Sequence, residues 1–324
     1  DDTLKAPYTM NMNFSIGRDL GDGWFVQGSY VSRLSRRSLI NDDLAMPTNL
    51  KDPASGQTYL EAAAQTARLV FADTALANVP RIPFWENMWP GAAGGGRTAS
   101  QNIYDLFSNF TDGDFTTALT YLDLDCDPAC SKLGPYSIFN AQYSSLAALR
   151  SRGHGNYHAM QWSVRKAFTK SYQFDLNYTW SKSTDLGSVL ENSGNSGQIR
   201  NSWRPGDMKA VSDYDQTHIV SMQSVVELPF GKKKKYLNNM TKLGEILVGG
   251  WQVTGIWRQT SSFVSSVLND SGWPTNWNFF TWANQTGDPG ARGSFKNAPA
   301  APRGTAGPNI FANPTQAVGA YGLT

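Results

Sequence analysis

The chain has 324 residues, 40% hydrophobic and 17% charged, with a formal net charge of +2 and 30 Gly, 11 Trp and 13 Tyr. That balance of charge excludes a polybasic nucleic-acid surface, and no nucleic-acid partner is expected. No apolar stretch reaches the ~18 residues of a spanning helix, so any membrane crossing has to be made by strands.

Alternation of apolar and polar residues begins near the start. Tyr8, Met10, Met12, Phe14 and Ile16 interleave with Thr9, Asn11, Asn13, Ser15 and Gly17. After Gly21-Asp22-Gly23, a tight-turn signal, Trp24, Val26, Gly28 and Tyr30 oppose Gln27 and Ser29, so residues 1–32 read as a hairpin. Residues 33–153 read as a long insertion. Within it, helices are expected at Tyr59 to Asn78, around Ile103 to Phe110, Thr116 to Leu124 and Ala141 to Arg150, where Ala and Leu dominate. Between them, Pro83 to Pro90 holds Trp85 and Trp89, read mainly as packing under the helices and secondarily as ligand contacts.

Cys126 and Cys130 flank Asp127-Pro128, whose turn tendency brings the sulfurs together, and a disulfide in an oxidising compartment is expected. Asp123, Asp125 and Asp127 resemble the opening of a calcium loop. Pro128 and Cys130 stand where such a loop would continue, so the default is a solvated loop without metal. His154 and His158 share one strand face, and without a nearby third ligand they do not make a metal site. No hydrolase elbow, zinc-protease motif or phosphate loop is present, so no catalytic residues and no cofactor are expected.

From residue 154 to 260 the alternation returns. Met160, Trp162 and Val164 form one strand face. Tyr172, Phe174, Leu176, Tyr178 and Trp180 then alternate with Gln173, Asp175, Asn177, Thr179 and Ser181. A long connection at 183–215 precedes a strand with Val220, Met222 and Val226 opposite Gln223 and Glu227. A link from Gly231 to about Gly244 precedes the last, with Trp251, Val253 and Trp257 opposite Gln252, Thr254 and Arg258. Residues 261–324 read as another loop.

Short and long connections therefore alternate, as in outer-membrane barrels whose short turns face the periplasm and whose long loops face outward. On that reading, the turns at Gly21 to Gly23, Thr169 to Lys170 and Lys232 to Lys235 are periplasmic, the apolar faces meet lipid, and Gln173, Asp175, Asn177, Gln223, Glu227, Gln252 and Arg258 line the lumen.

Asn156-Tyr157-His158-Ala159, Tyr178-Thr179-Trp180-Ser181-Lys182-Ser183 with Asp185, Leu228-Pro229-Phe230-Gly231-Lys232 and Gly249-Gly250-Trp251-Gln252-Val253 resemble the barrel region of Oar-like TonB-dependent receptors, as do Pro7-Tyr8-Thr9 and Gly28-Ser29-Tyr30. The resemblance implies a barrel of about 22 strands, closed inside by a plug that engages the TonB system. It implies import of a small ligand such as a siderophore, glycan or peptide, without bond chemistry. Six strands fall short of the ~8 needed for closure, there is no recognisable plug or leader, and no aromatic-terminated closing strand ends the sequence. The expectation is thus an all-β, antiparallel outer-membrane barrel portion, truncated before closure and carrying a long, partly helical extracellular insertion. A surface adhesion protein and a secreted carbohydrate-active enzyme are the alternatives; the enzyme would need two converging carboxylates that no segment singles out.

Overall fold

In a computed structural model the described residues are 4–110, 115–138, 146–169, 171–187, 199, 201–264, 267–269, 281–291 and 311–322. The chain divides into two compact units. The first comprises Asp1–Ile40, Leu149–Leu190 and Met208–Ser265, and the second Asn41–Ala148, Glu191–Asp207 and Ser266–Thr324.

The first unit is an antiparallel meander. Its strands are β1 (Tyr8–Gly21), β2 (Trp24–Asp43, whose last residues belong to the second unit), β3 (Ala147–Thr169, likewise shared at its start), β4 (Tyr172–Asp185), β5 (Ala210–Val211), β6 (His218–Glu227) and β7 (Gln252–Thr260). They hydrogen-bond in the order β1-β2-β3-β4-β6-β7, with β5 beside β4, and the sheet is not closed. The β1–β2 turn explains its own sequence. Asp22 and Gly23 both take positive φ, 52° and 79°, the two-residue conformation that matches strand twist and that Asp-Gly adopts most readily.

Strand pairing keeps one parity throughout. Phe14 lies opposite Tyr30, Trp162 opposite Tyr178, Leu176 opposite Met222 and Met222 opposite Trp257. Every apolar stripe thus falls on one face, and that face stays bare: Phe14 and Ile16 are each 70% exposed. Soluble monomers rarely expose contiguous apolar patches beyond a few hundred Å². On β2 the stripe runs from Trp24 to Leu34, a rise of ~33 Å that a ~40° tilt reduces to ~25 Å, the height of the lipid-facing band of an outer-membrane barrel. No helix among the described residues is long and apolar enough to cross a membrane.

Aromatic side chains mark both margins of the stripe. Near the short turns, the Lys166 ammonium is held by the Asp22 carbonyl and the Thr169 hydroxyl, between the rings of Trp24 and Tyr172 at 5.8 and 5.5 Å. Toward the other margin, Tyr30 stacks on His158 and Tyr178 on His218, with hydrogen bonds of 2.7 and 2.9 Å between the phenol oxygens and the imidazole Nδ1 atoms.

The second unit holds a conventional core. Helices α1 (Tyr59–Phe71), α2 (Pro83–Met88), α3 (Ala99–Ser108) and α4 (Phe115–Asp123) pack around Tyr59, Phe84, Trp85, Trp89, Ile103, Phe107, Phe115 and Leu119, all 0% exposed. Capping boxes start two of them: Thr58 with Glu61, and Thr98 with Gln101. Tyr59 and Trp89 meet Trp85 edge-on, Phe107 and Phe115 stack, and the Trp85 indole N–H donates to Thr66 Oγ1 at 2.8 Å. Asp52 organises the approach to α1 by accepting from the Ala54 and Ser55 amides, the Ser55 hydroxyl and the Asn87 amide. Burial acts to raise this carboxyl's pKa, but the hydrogen bonds from Asn87, Ser55 and Ala54 outweigh it and hold it at about 2 against an ordinary 3.8.

The structure corrects several expectations. The helix expected over Tyr59 to Asn78 ends at Phe71, because Asp73 turns left-handed at φ 48° and only a 3-10 turn at Leu76–Asn78 follows. Ala147 to Arg150 is strand, not helix: β3 pairs with β2, and ladder bonding overrides the local Ala-Leu preference; residues 141–145 of that segment lie outside those described. β2 and β3 also run well past the bilayer length expected of them, to Asp43 and back to Ala147, with the Leu44 amide still bonded to the Leu146 carbonyl. The β6–β7 link contains a short helix, α5 (Lys242–Val248), capped by Thr241. Among the described residues of 261–324 there are two small strand pairs, Leu268–Asn269 with Thr281–Trp282 and Asn284–Gln285 with Tyr321–Gly322, besides a helix at Pro314–Gly319.

Two outcomes follow. Trp85→Ala removes a fully buried indole and should cost the helical unit about 3–5 kcal/mol, read as faster proteolysis between residues 59 and 123. Because the Asp52 pKa is lowered on folding, its stabilisation is fully present above pH 3.8 and is lost as pH falls toward about 2; Asp52→Asn should flatten that acid limb in a pH series of helical circular dichroism.

Candidate functional site

Opposite the apolar stripe, the sheet carries a polar face with a groove near the ends remote from the short turns. Its cavity of about 570 Å³ is lined by Asn11 of β1, Val31, Arg33 and Ser35 of β2, Gly155, Asn156 and Tyr157 of β3, Ser183 and Asp185 of β4, and Tyr214, Asp215 and Gln216 ahead of β6. Register explains the convergence: Asn11 pairs with Arg33, Tyr157 with Ser183 and Gly155 with Asp185, so residues of one parity meet on one side.

The segment before β6 is fixed in place. Asp215 is 2% exposed and accepts the Ser183 amide at 2.6 Å and the Thr217 hydroxyl at 3.2 Å, with Lys182 Nζ at 3.6 Å. Ser183 and Ser212 hydroxyls meet at 2.8 Å, and the Ser212 amide bonds the Ser183 carbonyl. Tyr214 donates its hydroxyl to Asp185 at 3.2 Å. Burial, and then the neighbouring Asp185 charge, push the Tyr214 phenol up, so it stays a neutral donor. The groove therefore offers a guanidinium, carboxylates, phenols and amides on a positioned framework. That set suits recognition of a polar ligand by hydrogen bonds.

The candidates expected from sequence lie on this same face. Asp175 faces Gln223, Ser221 faces Arg258, and Glu227 faces Gln252 across the strand pairs. Two separate clusters among them are hydrogen-bonded: Asp175 accepts from Arg165 at 3.3 Å and from Asn177 at 2.6 Å, and Glu227 accepts from Lys234 at 2.5 Å and Gln252 at 3.4 Å. Asn177 also lines a second cavity of about 370 Å³ with Gln27, Ser29, Gln161, Ser163 and Thr179. Gln173, from the same strand, shares that parity opposite Val225.

Trp85 and Trp89 are 0% exposed and spend their rings on the helical core, so they are not placed to touch a ligand. Cys126 and Cys130 are disulfide-bonded. Asp123 is buried and accepts from Ser137 Oγ and the Ile138 amide, while Asp125 and Asp127 are exposed. No cluster of three His, Cys, Asp or Glu side chains suited to a metal occurs among the described residues.

Arg33, Tyr157, Asp185, Tyr214 and Asp215 did not emerge from the sequence. For Arg33 and Asp185 the signal was the continued parity of β2 beyond Tyr30 and of β4 beyond Ser181, where the apolar partner residues that make alternation visible give way to polar ones; Tyr214 and Asp215 lie between β5 and β6, outside any strand pattern.

A family model described as "Outer membrane beta barrel domain" matches residues 1–324. No curated protein and no solved structure matches the chain.

Asp215→Ala leaves the Ser183 amide and Thr217 hydroxyl without their acceptor. It should cost about 1–3 kcal/mol, read as a lower temperature at which the folded, fast-migrating band is lost in unboiled gels.

Proposed function

The chain belongs to the outer membrane beta barrel domain family, and on that footing we propose that it forms part of the wall and the outward-facing loops of a TonB-dependent, Oar-like importer. The observation that carries this reading is the two-sided sheet: a bare apolar face at bilayer height backed by a polar face with a 570 Å³ groove. In this role the apolar side meets lipid and the polar side lines the lumen, with the short turns toward the periplasm and the long connections outside.

The protein then performs no bond chemistry and holds no cofactor. Arg33, Asp185 and Tyr214 orient a polar solute at the outer end of the lumen, and Gln173, Asp175, Asn177, Gln223, Glu227, Gln252 and Arg258, on the same face, give it successive weak partners farther in. Multiple weak sites let a ligand enter and leave, where one tight site would trap it. Energy comes from the TonB system through a plug outside these residues. A siderophore, a glycan and a peptide each present donors and acceptors that this groove complements.

A surface-adhesion role finds support in a different feature, the insertion's own aromatic core, since a folded helical unit presents a durable protein surface. Energised uptake separates the two readings. Cells carrying the intact gene should accumulate one of the three ligand classes, and loss of TonB should abolish it; binding to a surface partner without TonB-dependent uptake would sink the importer. Sidedness is tested by single cysteines in intact membranes. Asn177→Cys should react with a water-soluble, membrane-impermeant maleimide at least about tenfold faster than Leu176→Cys, which is shielded by lipid; equal rates would refute the assignment of faces.

A further inference from the structure

Just past the apolar stripe, on the same side of the sheet, lies another cavity of a different kind. It has a volume of about 500 Å³, and its lining includes Tyr8, Arg36, Arg37, Arg152, His154 and Lys209, with no carboxylate among the described residues that line it. Parity puts Arg36 on the face of Tyr30 and Leu34, and Arg152 and His154 on the face of His158 and Met160. The Asp185 charge reaches His154, and for Arg36, Arg37 and Lys209, so close to a lipid-facing surface, an anionic partner from the membrane lowers the cost of their position.

Three features build the cluster. Arg36 lies opposite Tyr8 and is braced by the Ser35 and Gly155 carbonyls at 2.8 and 3.0 Å. Arg37 breaks the alternation with a left-handed φ of 60°, and its guanidinium joins the same side, 5.2 Å over the Tyr8 ring. Gly153 lets β3 close on β2, since a Cβ there would sit 2.7 Å from the Ser38 carbonyl. The cations are thus gathered at the outer margin of the stripe, beyond the Tyr30–His158 pair, rather than spread along the strands.

We propose that this cluster binds a phosphate of an anionic glycolipid in the outer leaflet, fastening one lipid headgroup to the outside of the sheet. Guanidinium groups match phosphate oxygens in pairs, and the position beside the lipid-facing band selects a headgroup whose acyl chains lie along Met10, Met12 and Tyr30. The proposal rests on the orientation proposed above, with the long connections outside.

The test uses the protein purified from outer membranes in mild detergent, with bound glycolipid counted by native mass spectrometry. Wild type should retain the phosphorylated glycolipid at least about tenfold better than the same lipid after enzymatic dephosphorylation. Arg37→Gln with Lys209→Gln, two exposed positions, should lose that preference while the folded band in unboiled gels persists. A control, Lys232→Gln with Lys233→Gln and Lys235→Gln at the opposite end, should keep it. Undiminished retention in the first variant overturns the site alone; loss in the control instead overturns the orientation as well. Binding of inorganic phosphate with no preference for the glycolipid overturns the lipid as its source.

Discussion

The fold depends on a single register held across six strands. A backbone in lipid has to satisfy its amides through neighbouring strands, and the side chains follow with period two. Sliding β4 by one residue would turn Leu176, Tyr178 and Trp180 toward the polar groove and Asp175 and Asn177 toward lipid. The apolar stripe, its aromatic margins and the groove are consequences of that one alignment. The Asp22-Gly23 turn secures it at one end and the bonds of Asp215 to β4 secure it at the other.

The aromatic residues serve two solvents. In the helical unit Phe84, Trp85, Phe107 and Phe115 are removed from all contact with surroundings, and water drives their packing. On the sheet Phe14, Trp180 and Trp257 stay exposed, which only an apolar medium tolerates in such number. This division reconciles a mean hydropathy of −0.41 with a membrane protein. Half of a spanning strand's residues lie on the polar face, and the helical unit buries its apolar side chains in a core of its own.

What was legible in the sequence follows from contrast. Tyr172 to Ser181 alternates without exception, and there both strand and facing could be read directly. Past Tyr30, β2 keeps its parity but reads Val31, Ser32, Arg33, Leu34, Ser35, Arg36, in which neither face is purely apolar, so the strand continues unseen to Asp43. The groove and the cationic cluster both lie in this stretch, where lipid no longer dictates one face. The helix beginning at Tyr59 was visible from its Ala and Leu content, but its end was not, because Asp73 terminates it by a backbone conformation that composition does not encode.

Lys166 gives the sheet a waterline. An ammonium lodged between Trp24 and Tyr172 and bonded to the turn has a strong preference for one depth, where carbonyls and headgroup water are within reach but the rings stay in hydrocarbon. The sheet cannot sink or rise past that level without stranding the charge. Vertical position is thereby set from the short-turn side of the sheet, where one charge and two rings have to meet different media at once.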